Sequence, residues 1–378
     1  MHNLSEEWLQ LRGKVKEVMS FDNSKPIRLI ELFAGIGSQA KALSNLGLTY
    51  EHWRVCEFDE HAVRSYNAVH GTNFAPSDIT KTSAADLGIT DTSMFTYLLT
   101  YSFPCQDLSP SGKGSGMGRG SGTRSGLLWE VERLLNECGE LPQVLLMENV
   151  PQVHGQKNIA HFDEWIAFLE SKGYSNYWKD LNAKDFSIPQ NRVRCYMVSI
   201  LGDHKYDFPV PKTLTKTLGD LLDKDVGTRY YLTDERCHRI AKWNSQQNPL
   251  ERVLGVESIC PTLTARGAGE YHAGMVLFSP ALKNTTNLRG EVLQREECDN
   301  DTAMRVLTPN ECWRLMGFSD SDYAMAAKVC NEGQLYKQAG NSIVVDVLMA
   351  IFGELFAQAE ESKPTISSWL DQLLANCS

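Results

Sequence analysis

A turn of the form Gly35-Ile36-Gly37 joins a short apolar run to a helix-forming segment, and this junction constrains the fold more than any other stretch of the chain. The run Ile27 to Phe33, bounded by Pro26 and Gly35, reads as a strand, and the residues after Gly37 read as a helix to about Leu46. Further strand-like runs at His52 to Phe58, Met94 to Ser102, Gln143 to Glu148 and Val193 to Leu201 are separated by segments long enough for helices. Alternation of this kind predicts an α/β fold with a mostly parallel sheet and helices on both faces. Leu4, Trp8, Leu11, Val15 and Val18 recur at helical spacing, which predicts an N-terminal amphipathic helix.

After Leu201 the chain becomes rich in Pro, Gly, Thr, Asn and Gln until about Asp301, the signature of a separate, irregular, smaller domain. Helical periodicity resumes at Thr308 with Pro309 in a helix-start position. It ends on an apolar face of Trp369, Leu370, Leu373 and Leu374, expected to pack back on the first domain. The expected division is therefore a helical extension at 1–25, a main domain from 26–201 and 305–378, and an inserted domain at 202–304.

With 378 residues, 42% of them hydrophobic, the chain can bury large cores without disulfides. No apolar run reaches the roughly 18 residues of a membrane span, and no basic patch precedes an apolar block near Met1. A cytoplasmic protein with no membrane partner is expected. The 10 cysteines include no C-x-x-C pair, which argues for reduced thiols and against a metal site. A net charge of -10 disfavours nucleic acid, but residues 201–290 carry 12 basic against 10 acidic side chains, so the acid lies elsewhere. Ser109 to Gly126 holds seven glycines, three bases (Lys113, Arg119, Arg124) and no acid.

Four clusters carry chemistry. Gly35-x-Gly37-x-x-Ala40, with Glu57 at the end of the next strand, fits a nucleoside site in which the carboxylate accepts from ribose hydroxyls; the pattern serves NAD and S-adenosylmethionine alike. Cys105, in Pro104-Cys105-Gln106, ends a strand where open α/β sheets place ligands, and a nucleophilic role there requires an electropositive setting. Glu148 follows an apolar run, so desolvation can keep it protonated and able to donate to a ring nitrogen; with Asn149 it could equally cap a turn. Arg192 and Arg194 share one side of a strand and demand carboxylates, carbonyls or phosphate.

In order and spacing these blocks resemble the bacterial DNA (cytosine-5)-methyltransferases of restriction–modification and related systems, from Ile27 to about Ala357. The resemblance implies a Rossmann-like S-adenosylmethionine-dependent methyltransferase fold with a target-recognition domain at 202–304. It makes Phe33-Ala34-Gly35-Ile36-Gly37 the cofactor turn, Glu57 and Phe58 the ribose and adenine contacts, and Asp78-Ile79 the adenine-edge contact. Pro104, Leu127 and Asn341-Ser342-Ile343 complete that pocket. Cys105 becomes the nucleophile, Glu148 the acid, and Arg192 with Arg194 the support of a flipped-out cytosine. Arg305-x-Leu307-Thr308-x-x-Glu311 resembles the block that follows the recognition domain. Gln106, Ser109, Lys113, Arg119, Arg124, Gln190, Thr262, Leu263 and Arg266 are the expected DNA contacts.

Glu31 stands where many members have Asp, and Ser38 where a glycine is frequent. The expected partner is double-stranded DNA, bound by a monomer of bacterial or phage origin; the resemblance allows a cognate restriction endonuclease in the same system without requiring one, and no metal is expected. The rival readings are a tRNA cytosine-5-methyltransferase, an NAD-dependent oxidoreductase and a DNA binder without catalysis.

Overall fold

A computed structural model of the chain describes residues 25–108, 115–233, 235–236, 253–265, 275–278 and 303–356. The expected N-terminal helix, the apolar face from Trp369 to Leu374, and Ser109, Lys113 and Arg266 lie outside them.

The central sheet has six strands: β1 (Ile27–Leu32), β2 (Tyr50–Cys56), β3 (Thr96–Tyr101), β4 (Val144–Asn149), β5 (Tyr174–Asn182) and, after the two-residue β6 (Gln190–Asn191), β7 (Val193–Leu201). Their order is β2-β1-β3-β4-β7-β5. β2, β1, β3 and β4 pair in parallel, while β7 runs antiparallel to both β4 and β5. The mostly parallel sheet is as expected. β3 and β4 are buried along their whole length because both faces are covered, so the mainly apolar runs Thr96–Tyr101 and Val144–Met147 fit a two-sided interior.

Alternate residues of each strand enter opposite cores. Leu29, Leu98, Leu146 and Val198 join one cluster, and Ile30, Leu99, Leu145 and Met197 join the other. Helices α1 (Ser38–Asn45), α2 (Glu60–His70) and α3 (Ala84–Leu87) lie in the first half of the chain; α4 (Leu128–Glu137) and α5 (Ile159–Ser171) follow β3 and β4. α4 is amphipathic, burying Leu128, Val131, Leu134 and Leu135.

Between Leu201 and Thr308 the described residues form three-residue 3₁₀ turns and short strands: β8 (Val253–Leu254), β9 (Cys260–Pro261), β10 (Met275–Phe278) and β11 (Ala303–Val306). This irregular region shares a core with the main domain, since Leu218, Leu254, Cys260 and Leu263 are buried in the cluster that holds Leu98, Tyr196 and Trp313. The chain then forms α6 (Pro309–Arg314), α7 (Asp320–Ala327), α8 (Glu332–Asn341) and α9 (Val345–Phe356). The stretch Glu332–Phe356, which holds α8 and α9, passes a length-and-hydropathy test for crossing a membrane, but 67% of its most apolar window is buried inside the protein, as befits core packing.

Re-entry is fixed by one fully buried ion pair. Arg305 in β11 donates to both oxygens of Glu311 at 2.8 and 2.6 Å. Glu311 also accepts from the backbone N–H of Thr308 and of Asp223, both at 2.7 Å, and closes a reciprocal cap with Thr308 at the start of α6.

Candidate functional site

The carboxyl ends of β1 to β4 form one edge of the sheet, and the candidate site residues lie just past the ends of β1, β2 and β3 and in the last residues of β4. Because β7 runs against β4, its first residues lie beside the last residues of β4: Asn149 pairs with Cys195, and Glu148 with Tyr196. The strand reversal thus brings Arg194 to Glu148, with guanidinium Nε 3.3 Å from Oε1.

Glu148 is 8% exposed. Burial raises its carboxyl above the usual range, and the charges of Arg194 and Arg192 hold it down only in part. Cys105 stands in the loop just past the end of β3, in the same field: burial and the Glu148 charge push its thiol up, while Arg194 and Arg192 pull it down. The adjoining loops are pinned. Asn149 donates from Nδ2 to the Phe103 carbonyl at 2.9 Å, and Ser125 from Oγ to the Pro104 carbonyl at 2.6 Å. Asn149 therefore braces the cysteine loop, beyond the turn role its position suggested.

At the neighbouring strand ends the main chain is open. Phe33, Gly35 and Gly37 all take positive φ, an unusual conformation for a phenylalanine. A Cβ on Gly35 would meet nothing within 4 Å, whereas one on Gly37 would fall 2.3 Å from His70 Nε2. Glu57 accepts from the N–H of Gly35 at 2.9 Å and of Asp59 at 2.8 Å, which fixes its carboxylate under the turn. The Phe58 ring is 77% exposed beside it. An anchored carboxylate, a bare aromatic face and uncovered glycine main chain fit an adenosyl group. Asp78 caps the 3₁₀ turn that begins at the buried Ile79, accepting from Thr80 N–H at 3.0 Å. Ser342 and Ile343 are buried, and Asn341 is exposed.

The description C-5 cytosine-specific DNA methylase matches residues 27–357. The chain belongs to that family. A type II methyltransferase of Lactococcus lactis subsp. cremoris is 31% identical, covering 87% of this chain and 99% of that protein. A type II methyltransferase of Neisseria lactamica is 31% identical over 91% and 99%, and an orphan methyltransferase of Spiroplasma monobiae 28% identical over 87% and 98%. Among solved structures, an S. pombe Dnmt2 methyltransferase superposes with a TM-score of 0.66 at 23% identity, covering 87% of this chain and 98% of that one. The protein is a DNA cytosine methyltransferase of the α/β methyltransferase fold, and its family uses S-adenosylmethionine. The oxidoreductase reading falls with that result.

Several residues expected at DNA have other work in this methyltransferase. Gln190 is fully buried, donating to the Leu315 carbonyl at 2.8 Å and accepting from Leu263 N–H at 3.2 Å; Leu263 is itself buried. Gln190 Nε2 also lies 3.5 Å from Met316 Sδ, so both of its N–H groups are used inside the protein and the two residues act as internal struts. Arg119 is held by Glu132 and Glu164 and lies 3.9 Å over the Trp129 ring, so its charge is neutralised within the protein. Thr262 donates to the Asn191 carbonyl at 2.7 Å. Gln106 and Arg124 are on the surface and bond each other at 3.0 Å.

Arg192 also departs from expectation. Its guanidinium, buried beside Arg194, donates to the carbonyls of Leu263, Gly340 and Ser342 at 2.9, 3.0 and 2.7 Å, which leaves it positioning backbone. The same seam admits no side chain at Gly340, where a Cβ would lie 2.1 Å from the Thr264 carbonyl carbon. Gly340→Ala is expected to destabilise the protein by about 1–3 kcal/mol through overpacking against main chain. Urea unfolding checks this, and an unchanged midpoint would refute the close contact.

Sequence reasoning passed over Asp107 and Ser125. They bond reciprocally, Asp107 N–H to Ser125 Oγ and Ser125 N–H to an Asp107 oxygen, both at 3.3 Å, and so draw together the two ends of the glycine-rich stretch. A polar pair flanking a run of glycines was the available signal.

Beneath the cofactor turn, Glu31 accepts from the Tyr66 hydroxyl at 2.5 Å, and Tyr66 also meets His52 at 2.8 Å. Burial raises the Glu31 carboxyl to about 7. The folded protein therefore keeps a proton that the unfolded chain releases at the ordinary carboxylate value, and stability from this group is lost as pH climbs toward about 7. Burial lowers the His70 imidazole to about 4, so its contribution is lost instead as pH falls below the ordinary imidazole value. The two slopes oppose each other. Glu31→Gln removes one, and stability relative to the parent is expected to rise with pH by up to about 1.4 kcal/mol per unit. Urea unfolding between about pH 5 and pH 7 measures it; a difference that ignores pH would sink the assignment.

Proposed function

We propose that the protein methylates carbon 5 of a cytosine turned out of duplex DNA, with Cys105 as nucleophile, Glu148 as proton donor and Arg194 as the group that orients both Glu148 and the base. The observation that carries this reading is the meeting of a buried Glu148, its Arg194 partner and Cys105 at one sheet edge, next to the open glycine turn.

S-adenosylmethionine would be held by Glu57, Phe58, the Phe33 to Gly37 turn and the Ser342 region, and would supply an electrophilic methyl group on a sulfonium. Cytosine carbon 5 is too weakly nucleophilic to take it unaided. The Cys105 thiolate forms a bond to carbon 6, and Glu148 shares its proton with N3 so that ring electrons shift toward carbon 5. With its proton on, Glu148 carries no charge to hold the Cys105 thiol up, so the form that can donate to N3 is also the form that favours the thiolate. After methylation, loss of the carbon 5 proton expels Cys105 and restores the aromatic ring. Bringing the base out of the stack costs a few kcal/mol, which contacts from residues such as Gln106 and Arg124 at the mouth offset.

The test is incubation with S-adenosylmethionine and unmethylated genomic DNA, followed by base-resolution mapping of 5-methylcytosine, with tRNA as a parallel substrate. Modification confined to one short duplex motif is expected. Modification of tRNA alone, or none from a folded protein that binds S-adenosylmethionine, would overturn the reading.

A further inference from the structure

We propose that His154, Asp180 and Cys195 form a binding site for one zinc-class divalent cation, apart from the methyl-transfer chemistry. The three come from separate segments. His154 ends the 3₁₀ turn Pro151–His154 after β4, Asp180 lies on β5, and Cys195 lies on β7. Asp180 and Cys195 are directly paired across the antiparallel β5–β7 register, so their side chains leave the sheet on the same face as neighbours. His154 Nε2 stands 3.0 and 3.2 Å from the two Asp180 oxygens. One ligand atom from each residue falls within 4.8 Å of the others. Ligand atoms around tetrahedral zinc stand roughly 3.5 Å apart, a spacing that small side-chain rotations reach.

The surroundings favour a cation. Burial first, and then the nearby carboxylates of Asp180 and Glu148, push the Cys195 thiol up. A divalent ion supplies the missing positive charge and takes the sulfur as thiolate, with release of one proton to solvent. The His154 ring is already set, packed 4.7 Å from Trp178 and 6.1 Å from Phe162 between ring centroids. Cys195 is buried at the back, while His154 and Asp180 keep 22% and 33% of their side-chain surface open, which leaves an entry path and a fourth position for water. One nitrogen, one oxygen and one sulfur ligand suit zinc and exclude magnesium or calcium as the preferred ion. A bound ion would tie the turn after Glu148 to β5 and to β7, the strand that carries Arg194.

The experiment titrates the full-length, reduced, metal-stripped protein with zinc chloride by calorimetry and with cobalt(II) by absorption spectroscopy. One zinc per chain is expected, together with a thiolate-to-cobalt charge-transfer band. Asp180→Asn and His154→Gln, both at solvent-open positions, should each weaken zinc binding by roughly tenfold or more. Cys195→Ser should abolish the charge-transfer band, with circular dichroism confirming that it is folded. Absence of zinc binding overturns the proposal. So does binding that Asp180→Asn and His154→Gln leave undiminished, which would assign the metal to other cysteines.

Discussion

Cys105→Ala is expected to reduce methyl transfer by more than about 10⁴-fold, the scale on which loss of a covalent nucleophile is felt, while the fold and the affinity for S-adenosylmethionine persist. The substitution removes one sulfur from a half-buried position. The groups that would hold the cofactor, Glu57 on the Gly35 and Asp59 amides and the exposed Phe58, belong to other strand ends and keep their contacts. Single-turnover transfer of labelled methyl, read beside the melting-temperature shift caused by S-adenosylhomocysteine, separates the two effects. Retained activity would eliminate the covalent route. Loss of the cofactor-induced shift along with activity would mean that Cys105 supports the pocket rather than the chemistry.

Glu311→Ala is expected to lower stability by about 3–5 kcal/mol, the cost of leaving one partner of a buried ion pair without the other. Arg305 and Glu311 are both 0% exposed, so water cannot replace the lost carboxylate. The same change orphans the N–H groups of Thr308 and Asp223 and removes the cap of α6. Urea unfolding reads the loss directly. Arg305→Met combined with Glu311→Met should recover much of it, because two apolar side chains leave no uncompensated charge; a double variant as unstable as the single would show that the interior charges themselves are required.

The strands that could be read from sequence were those whose burial is two-sided. Val193–Leu201 has the predicted bounds, and Thr96–Tyr101 falls within the predicted run, because continuous apolar segments mark buried strands. β5 gave no such signal. Its Trp178, Lys179 and Asp180 are exposed at the sheet edge, and mixed polar sequence there resembles a loop. Apolar periodicity also carries no direction, so nothing in Val193–Leu201 announced that β7 is reversed, although that reversal sets Arg194 against Glu148.

In the site, residue types were legible and their partners were not. Cys105, Glu148 and Arg194 meet as their chemistry suggested. Arg192, equally basic and two residues away, is committed to three carbonyls that arrive from Leu263, Gly340 and Ser342. Arg119, basic in a glycine-rich run, is answered by Glu132 and Glu164, which lie 13 and 45 residues further along the chain. His154, Asp180 and Cys195 follow no metal-ligand spacing, since strand pairing rather than sequence proximity assembles them.

The seam at Gly340 has a consequence for how such enzymes diversify. Leu263 is gripped through its own carbonyl by Arg192 and through its own N–H by Gln190, and Gly340 abuts the main-chain atoms of Thr264 and Ala265. Each of these joints reads peptide groups, which every residue but proline presents in full, while the Leu263 side chain adds a buried apolar anchor. The seam therefore works as a standard socket: because these joints are made through main chain, the exposed side chains of the segment around Leu263 can vary while the machinery that carries out the reaction stays as it is.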